Sequence, residues 1–173
     1  MQKLILQETQ GSYQVALHDA LLLGGVVALN NPVEQQEIAS FVTAISQPRL
    51  HLHPQVEEEG SGQVIVMGDG RAELWRYADG EGELTMTYEP SDALYTVTDA
   101  ALSPDGSLLV TAGNYVIFFD AASGERLVTW SPTNEAGEGV TVQAVGFSPD
   151  GQFLWAIDEQ GVLHVRGVLE GNG

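Results

Sequence analysis

Apolar and polar positions alternate along this chain in short runs, and each run is cut by Gly, Pro, Asp or Asn. The stretch 97–130, VTDAALSPDGSLLVTAGNYVIFFDAASGERLVTW, shows the pattern most fully. Period-two alternation rich in Val, Leu, Ile and Phe predicts strands. Here it predicts four, at 97–102, 108–112, 116–120 and 126–130. The turns between them carry the residues that tight turns need: in Ser103-Pro104-Asp105-Gly106, Pro sets φ and Gly accepts the left-handed conformation.

Parts of this unit recur. Forty-five residues after 97–106 the chain writes Val142-Gln143-Ala144-Val145-Gly146-Phe147-Ser148-Pro149-Asp150-Gly151, with the same Ser-Pro-Asp-Gly turn. Matching positions on the third strand, Asn30, Arg76, Asp120 and Arg166, are spaced 46, 44 and 46 residues apart. A repeat of this period means an array of one supersecondary unit, here present four times. The second unit is predicted to hold strands at 40–46, 63–67, 72–77 and 83–88, with an insertion at 47–62. The fourth offers 142–147, 153–157 and 162–168 and lacks an outer strand. The first already supplies four, at 13–17, 21–23, 25–29 and 37–41, which leaves the alternating segment 2–8 spare. That segment is assigned as the missing outer strand of the last unit, an exchange that removes an unpaired edge.

The pattern resembles the WD40 β-propeller family, whose repeats are four-stranded blades. The resemblance rests on the turns at 103–106 and 148–151, on Val116-Ile117-Phe118-Phe119-Asp120 with Ser123-Gly124-Glu125, and on Leu74-Trp75-Arg76. It departs from the family in two ways: no Trp-Asp dipeptide is intact, and the Gly-His pair that opens many family repeats is absent. The expected fold is therefore all-β, one WD40-like propeller domain over 1–173. Its blades are expected at about 9–41, 42–90, 91–131 and 137–168, with strand 2–8 completing the last. Resemblance also implies that Trp75, Phe119 and Val165 share one position packed between adjacent blades. Two closures fit: a four-bladed ring of one chain, or an eight-bladed ring as a homodimer. The homodimer is favoured, because an open half-ring would expose two apolar blade faces.

Composition adds limits. A chain of 173 residues with 43% apolar residues makes one globular domain. The formal net charge of −18, from 24 acidic residues against 6 basic ones, repels phosphate backbones and anionic lipids. Nucleic acid and membranes are thus excluded as expected partners, and a protein with a basic surface is favoured. With no cysteine there is no disulfide, thiolate metal site or cysteine nucleophile, which fits a reducing cytoplasm. The apolar run at the N-terminus is too short for a signal peptide.

Candidate chemistry is sparse. His51 and His53, two apart on a strand and followed by Glu57-Glu58-Glu59, have a spacing that metal sites use, but nothing fixes a third ligand, and no metal or cofactor is expected. Asp69 and Asp158 fall in turns between second and third strands, where Asp serves φ and capping. Trp155 alternates with Phe153 and Ile157 and reads as core, whereas Trp130, just before Ser131-Pro132, reads as a partly exposed contact. By resemblance to the family, the loops from outer to inner strands and these turns share the face where partners bind. That face collects Glu89, Asp92, Glu135 and Glu138 with Asp69, Asp158 and Glu159, and no Lys or Arg occurs among them. The four His stand in no nucleophile arrangement, and no phosphate loop or His-Glu-x-x-His helix occurs. The expected function is non-enzymatic: a protein–protein interaction scaffold acting through a rigid acidic face. The alternative is a small-ligand or hydrolytic site in the central channel.

Overall fold

The computed structural model describes residues 16–21, 26–31, 36–46, 48–52, 61–90 and 95–168. Fourteen strands run through them: β1 (Ala16–Leu21), β2 (Val26–Asn31), β3 (Gln36–Val42), β4 (Arg49–Leu52), β5 (Gly62–Gly68), β6 (Arg71–Ala78), β7 (Gly80–Tyr88), β8 (Asp99–Leu102), β9 (Leu108–Ala112), β10 (Val116–Asp120), β11 (Arg126–Trp130), β12 (Val142–Phe147), β13 (Phe153–Asp158) and β14 (Leu163–Gly167). They form antiparallel meanders β1–β3, β4–β7, β8–β11 and β12–β14. The first two meanders touch edge to edge through a two-residue parallel bridge, Ala39 to Gly80 and Ser40 to Glu81.

Strand alternation explains why the meanders stack. In β5, Val64, Ile65, Val66 and Met67 are all buried, so both faces of the second meander are covered. Val64 and Val66 join Val27, Leu29, Phe41 and Trp75 in one core. Ile65 and Met67 join Leu74, Tyr88, Leu109, Ile117 and Phe119 in the next. The opposite face of the third meander, with Val110, Ala112 and Val116, meets Val145, Leu154 and Ala156 of the fourth. Three apolar layers thus lie between four successive sheets.

The repeated turns fold identically. Ser103 Oγ donates to Asp105 Oδ1 at 2.5 Å, and Leu108 N donates back to Ser103 Oγ at 2.9 Å. Ser148 and Asp150 repeat these bonds at 2.5 Å and 3.0 Å, the second from Phe153 N. Gly106 and Gly151 sit at φ 74° and 71°, the left-handed region that glycine accepts.

Four expectations need correction. The segment 47–62 is not a plain insertion, because β4 lies within it and pairs with β5 (Leu50 to Val66, His51 to Ile65). Residues 40–46 do alternate, but 40–42 belong to β3, which pairs with β2 (Val27 to Phe41). In the first unit, β1 runs continuously over 16–21 with a register break between His18 and Leu21; the expected strand 2–8 lies outside the described residues. Finally, Val165 does not share the buried position of Trp75 and Phe119. Thr111 pairs with Ile117, six residues on, whereas Ala156 pairs with His164, eight residues on. The longer connection puts Arg166 opposite Leu154, where Phe119 stands opposite Leu109. A one-residue slip sends a side chain to the other face, and Val165 is 53% exposed.

Candidate interaction surfaces

Loops from outer to inner strands and turns between second and third strands meet at one end of the stack. Ser46 donates to Asp69 through N and Oγ, each at 2.8 Å. Val142 N donates to Gly113 O at 2.7 Å, and Glu159 N to Thr141 O at 2.9 Å. The predicted site residues Asp69, Glu89, Glu135, Glu138 and Glu159 are exposed at this end, and Asn134 Nδ2 donates to Glu138 Oε2 at 3.1 Å. Asp92 lies outside the described residues, as does His53. Arg49 and Arg71 begin β4 and β6 at this same end, but Arg49 donates to Val97 O and Arg71 Nε to Glu73 Oε1 at 3.2 Å.

Of the two other predicted contacts, Asp158 is internal, while Trp130 is partly exposed, as expected. The Asp158 side chain is 1% exposed. Its Oδ1 accepts from Gln160 N and Val162 N, and its Oδ2 from His164 Nε2, all at 2.9 Å. Its role is to cap the turn, and a partner cannot reach it. The His164 hydrogen bond, helped by the backbone donors, holds its carboxyl below the usual carboxylate range. Trp130 is half-buried between the third and fourth sheets. His164 meets its ring edge-on at 6.2 Å, and the Arg166 guanidinium lies 5.3 Å from its centroid.

The opposite end is acidic too. Asp79, Glu81, Glu83 and Glu125 are exposed there. Asp105, Asp120 and Asp150 are engaged by serine hydroxyls and backbone N–H groups of their own turns, which lower their pKa values. Charge alone therefore does not single out one end.

The inner strands are tied to one another. Asp99 Oδ2, on β8, accepts from Val145 N of β12 at 2.9 Å. Its Oδ1 lies 3.8 Å from His51 Nδ1 on β4. Burial pushes the His51 pKa down, and the Asp99 charge opposes it. Among the described residues, no cluster of three or more His, Asp or Glu is arranged to hold a metal, and no helix is long and apolar enough to cross a membrane.

One surface escaped the sequence reading. In the last sheet, Trp155 pairs with Val165 and Ile157 with Leu163. With Phe153, two residues along, they share the face turned away from the third sheet. Phe153 is 48% exposed and Leu163 60%. The indole of Trp155 lies over Gly146, where any side chain would overlap it. The alternation Phe153-x-Trp155-x-Ile157 was the available signal, and it reads as core only if another sheet follows.

Antiparallel meanders of three or four described strands, stacked face to face with inner strands tied together, define a β-propeller architecture. No family model matches the chain. Apoptotic protease-activating factor 1 of Mus musculus is 30% identical over 116 residues, 63% of this chain and 9% of that protein. The Homo sapiens protein of the same name is 29% identical over 113 residues, 62% and 9% respectively. The chain thus spans about a tenth of the curated relatives it matches. The β-propeller domain of Myceliophteria thermophila Cps50 (Swd1) superimposes with a TM-score of 0.70 at 14% identity, over 95% of this chain and 50% of that one. The fold is that of a β-propeller, and the 45-residue repeats and Ser-Pro-Asp-Gly turns are similar to those of WD40 blades.

Proposed function

We propose that this chain is a non-enzymatic protein-interaction scaffold, a half-propeller that presents its loop end to a basic protein surface. The observation that carries this reading is how the carboxylates are used. Asp105, Asp120, Asp150 and Asp158 are committed to turns and Glu73 to a buried tie. Glu89, Glu135, Glu138 and Glu159 instead stand exposed on loops fixed to the blade stack. A rigid array of like charge steers an oppositely charged partner and binds less well in salt. The half-ring closes as an eight-bladed homodimer with exchanged N-terminal strands 2–8, in a reducing cytoplasm. Support for the half-ring comes from its fit to 50% of a β-propeller domain.

The test uses a lysine-rich peptide as probe, titrated at low and at physiological salt. Binding is expected to weaken with salt and to fall in the Glu135→Gln/Glu138→Gln/Glu159→Gln variant. The Glu81→Gln/Glu83→Gln/Glu125→Gln variant at the other end is expected to bind as before. Equal losses in both variants would reduce the effect to net charge and overturn the assignment of a face.

A further inference from the structure

We propose that the outer rim between the third and fourth sheets, where Arg166 stacks on Trp130, binds a carboxylate side chain carried on an apolar peptide segment of a partner protein. This site is separate from the loop end and does not rest on the scaffold reading.

Strand pairing fixes which side chains meet there. Trp130 and Val128 of β11 stand opposite Val116 and Phe118, which pack in the layer between the third and fourth sheets. His164 and Arg166 of β14 stand opposite Ala156 and Leu154, which belong to the same layer. Residues paired across antiparallel strands share a face, so all four side chains lie on the facing surfaces of two described sheets. The site is thus independent of whatever covers the far side of the last sheet. Its apolar part is open, since Val128 is 54% exposed.

The charge at this rim stands out in a chain with 24 acidic residues against 6 basic ones. The other described arginines are engaged: Arg49 by the Val97 carbonyl, Arg71 by Glu73, Arg126 by Thr129, and Arg76 as well. Arg166 is exposed, and among the described residues its contact is the Trp130 ring, whose centroid lies 5.3 Å from the guanidinium carbon. Stacking on an aromatic face holds a guanidinium in place and leaves its N–H donors free. A planar fork held in this way is prepared for a carboxylate, which it takes through two parallel hydrogen bonds.

A second donor at the rim lacks an acceptor. Trp130 Nε1 is buried and has no hydrogen-bond partner among the described residues. A buried donor left in this way is costly and marks a place where an acceptor is missing. His164 does not supply one, because its ring meets the indole edge-on and its Nε2 is committed to Asp158. A basic partner would be repelled by Arg166, and a neutral apolar one would bury the guanidinium unpaired. A segment that pairs a carboxylate with aliphatic side chains satisfies the cation, the indole N–H and the exposed Val128 together. Trp and Arg are also the residue types on which interface binding energy concentrates.

The probe is a fluorescent, terminally blocked peptide alternating leucine with glutamate, added to the full chain at physiological salt, where repulsion from the distant carboxylates is screened. A peptide alternating leucine with glutamine is the neutral control. Binding is read by anisotropy and by the Trp130 indole N–H signal in isotope-labelled protein, identified with Trp130→Phe. The acidic peptide is expected to bind and to move that signal, and the neutral one to do neither. Arg166→Gln is expected to weaken binding ~10-fold or more, since a charge-assisted bidentate pair is lost. Arg126→Gln is expected to bind as the wild type does, because Arg126 stands opposite Phe119 on the other face of β11. Circular dichroism checks that both variants fold. No binding of the acidic peptide, equal affinity for the two peptides, or equal losses in the two variants overturns the proposal. A Trp130 signal that moves on dilution, or on removal of residues 1–8, with no peptide present would assign the rim to a second copy or to the chain's own N-terminal segment, and overturns it too.

Discussion

His164 Nε2 donates a 2.9 Å hydrogen bond to Asp158 Oδ2, joining the start of β14 to the turn that leads into it. The same carboxylate holds two backbone N–H groups of that turn, so it is useful only when ionised. Asp69, Asp105, Asp120 and Asp150 are likewise held below their usual range by hydrogen bonds from neighbouring serines and backbone groups. A depressed carboxyl pKa means the folded chain binds fewer protons than the unfolded one. The resulting stabilisation is complete above the ordinary aspartate value and is lost as pH falls through the lower folded values. Thermal unfolding is expected to show Tm dropping steeply below about pH 4, with a shallower drop in Asp105→Asn/Asp150→Asn and a lower Tm at neutral pH in Asp158→Ala. An unchanged acid slope in the double variant would contradict the role given to these turns.

His51 acts at a higher pH. Burial lowers its pKa, so protonation opposes folding, and the stability it contributes is lost as pH falls from about 6.5 towards its folded value. His51→Gln is expected to flatten stability just below about pH 6.5 in urea titrations while leaving the steep loss below about pH 4 in place.

Glu73 is a buried carboxylate with three donors: Thr43 Oγ1 at 2.6 Å, Trp75 Nε1 at 3.0 Å and Arg71 Nε at 3.2 Å. Removing it strands an indole N–H and a hydroxyl between the first two sheets. Glu73→Leu is expected to cost about 3 kcal/mol by urea unfolding, and Glu73→Gln about 1 kcal/mol, since an amide oxygen still accepts. An equal cost for both would mean that volume rather than hydrogen bonding sets the loss.

Gly113 and Gly137 separate crowding from conformation. A side chain at Gly113 would overlap the carbonyl of Thr96, at the end where loops and turns meet. Gly137 has open space around it but a φ of 80°. Gly113→Ala is expected to destabilise by about 2–3 kcal/mol and Gly137→Ala by about 1 kcal/mol, measured by chemical denaturation. The reverse order would mean that the loop end yields more easily than its hydrogen bonds imply.

The third unit was fully legible because each of its strands is bounded by a turn with explicit chemistry, as at Ser103 to Gly106 and Asp120 to Gly124. Strand β4 was not, since Arg49-Leu50-His51-Leu52 mixes charge with apolar residues, and only pairing with Val66 and Ile65 reveals it as an inner strand. Val165 was misplaced because turn length, invisible to a count of repeat spacing, fixes which way alternate side chains point. Asp158 looked like a surface acid because sequence shows a turn aspartate but not the His164 that closes over it. The uncovered face at Phe153, Trp155 and Ile157 was hidden for a related reason: an alternating apolar strand is written the same way whether its cover comes from its own chain or from another.

The measurement that bears most directly on two half-rings closing one propeller is the absolute mass in solution, by light scattering on a sizing column. It is made on the intact chain and on a version lacking residues 1–8. The intact chain is predicted to run at twice the 18.5 kDa of one chain, and the shortened one to lose that association. A compact particle of one chain mass at every concentration would contradict the account.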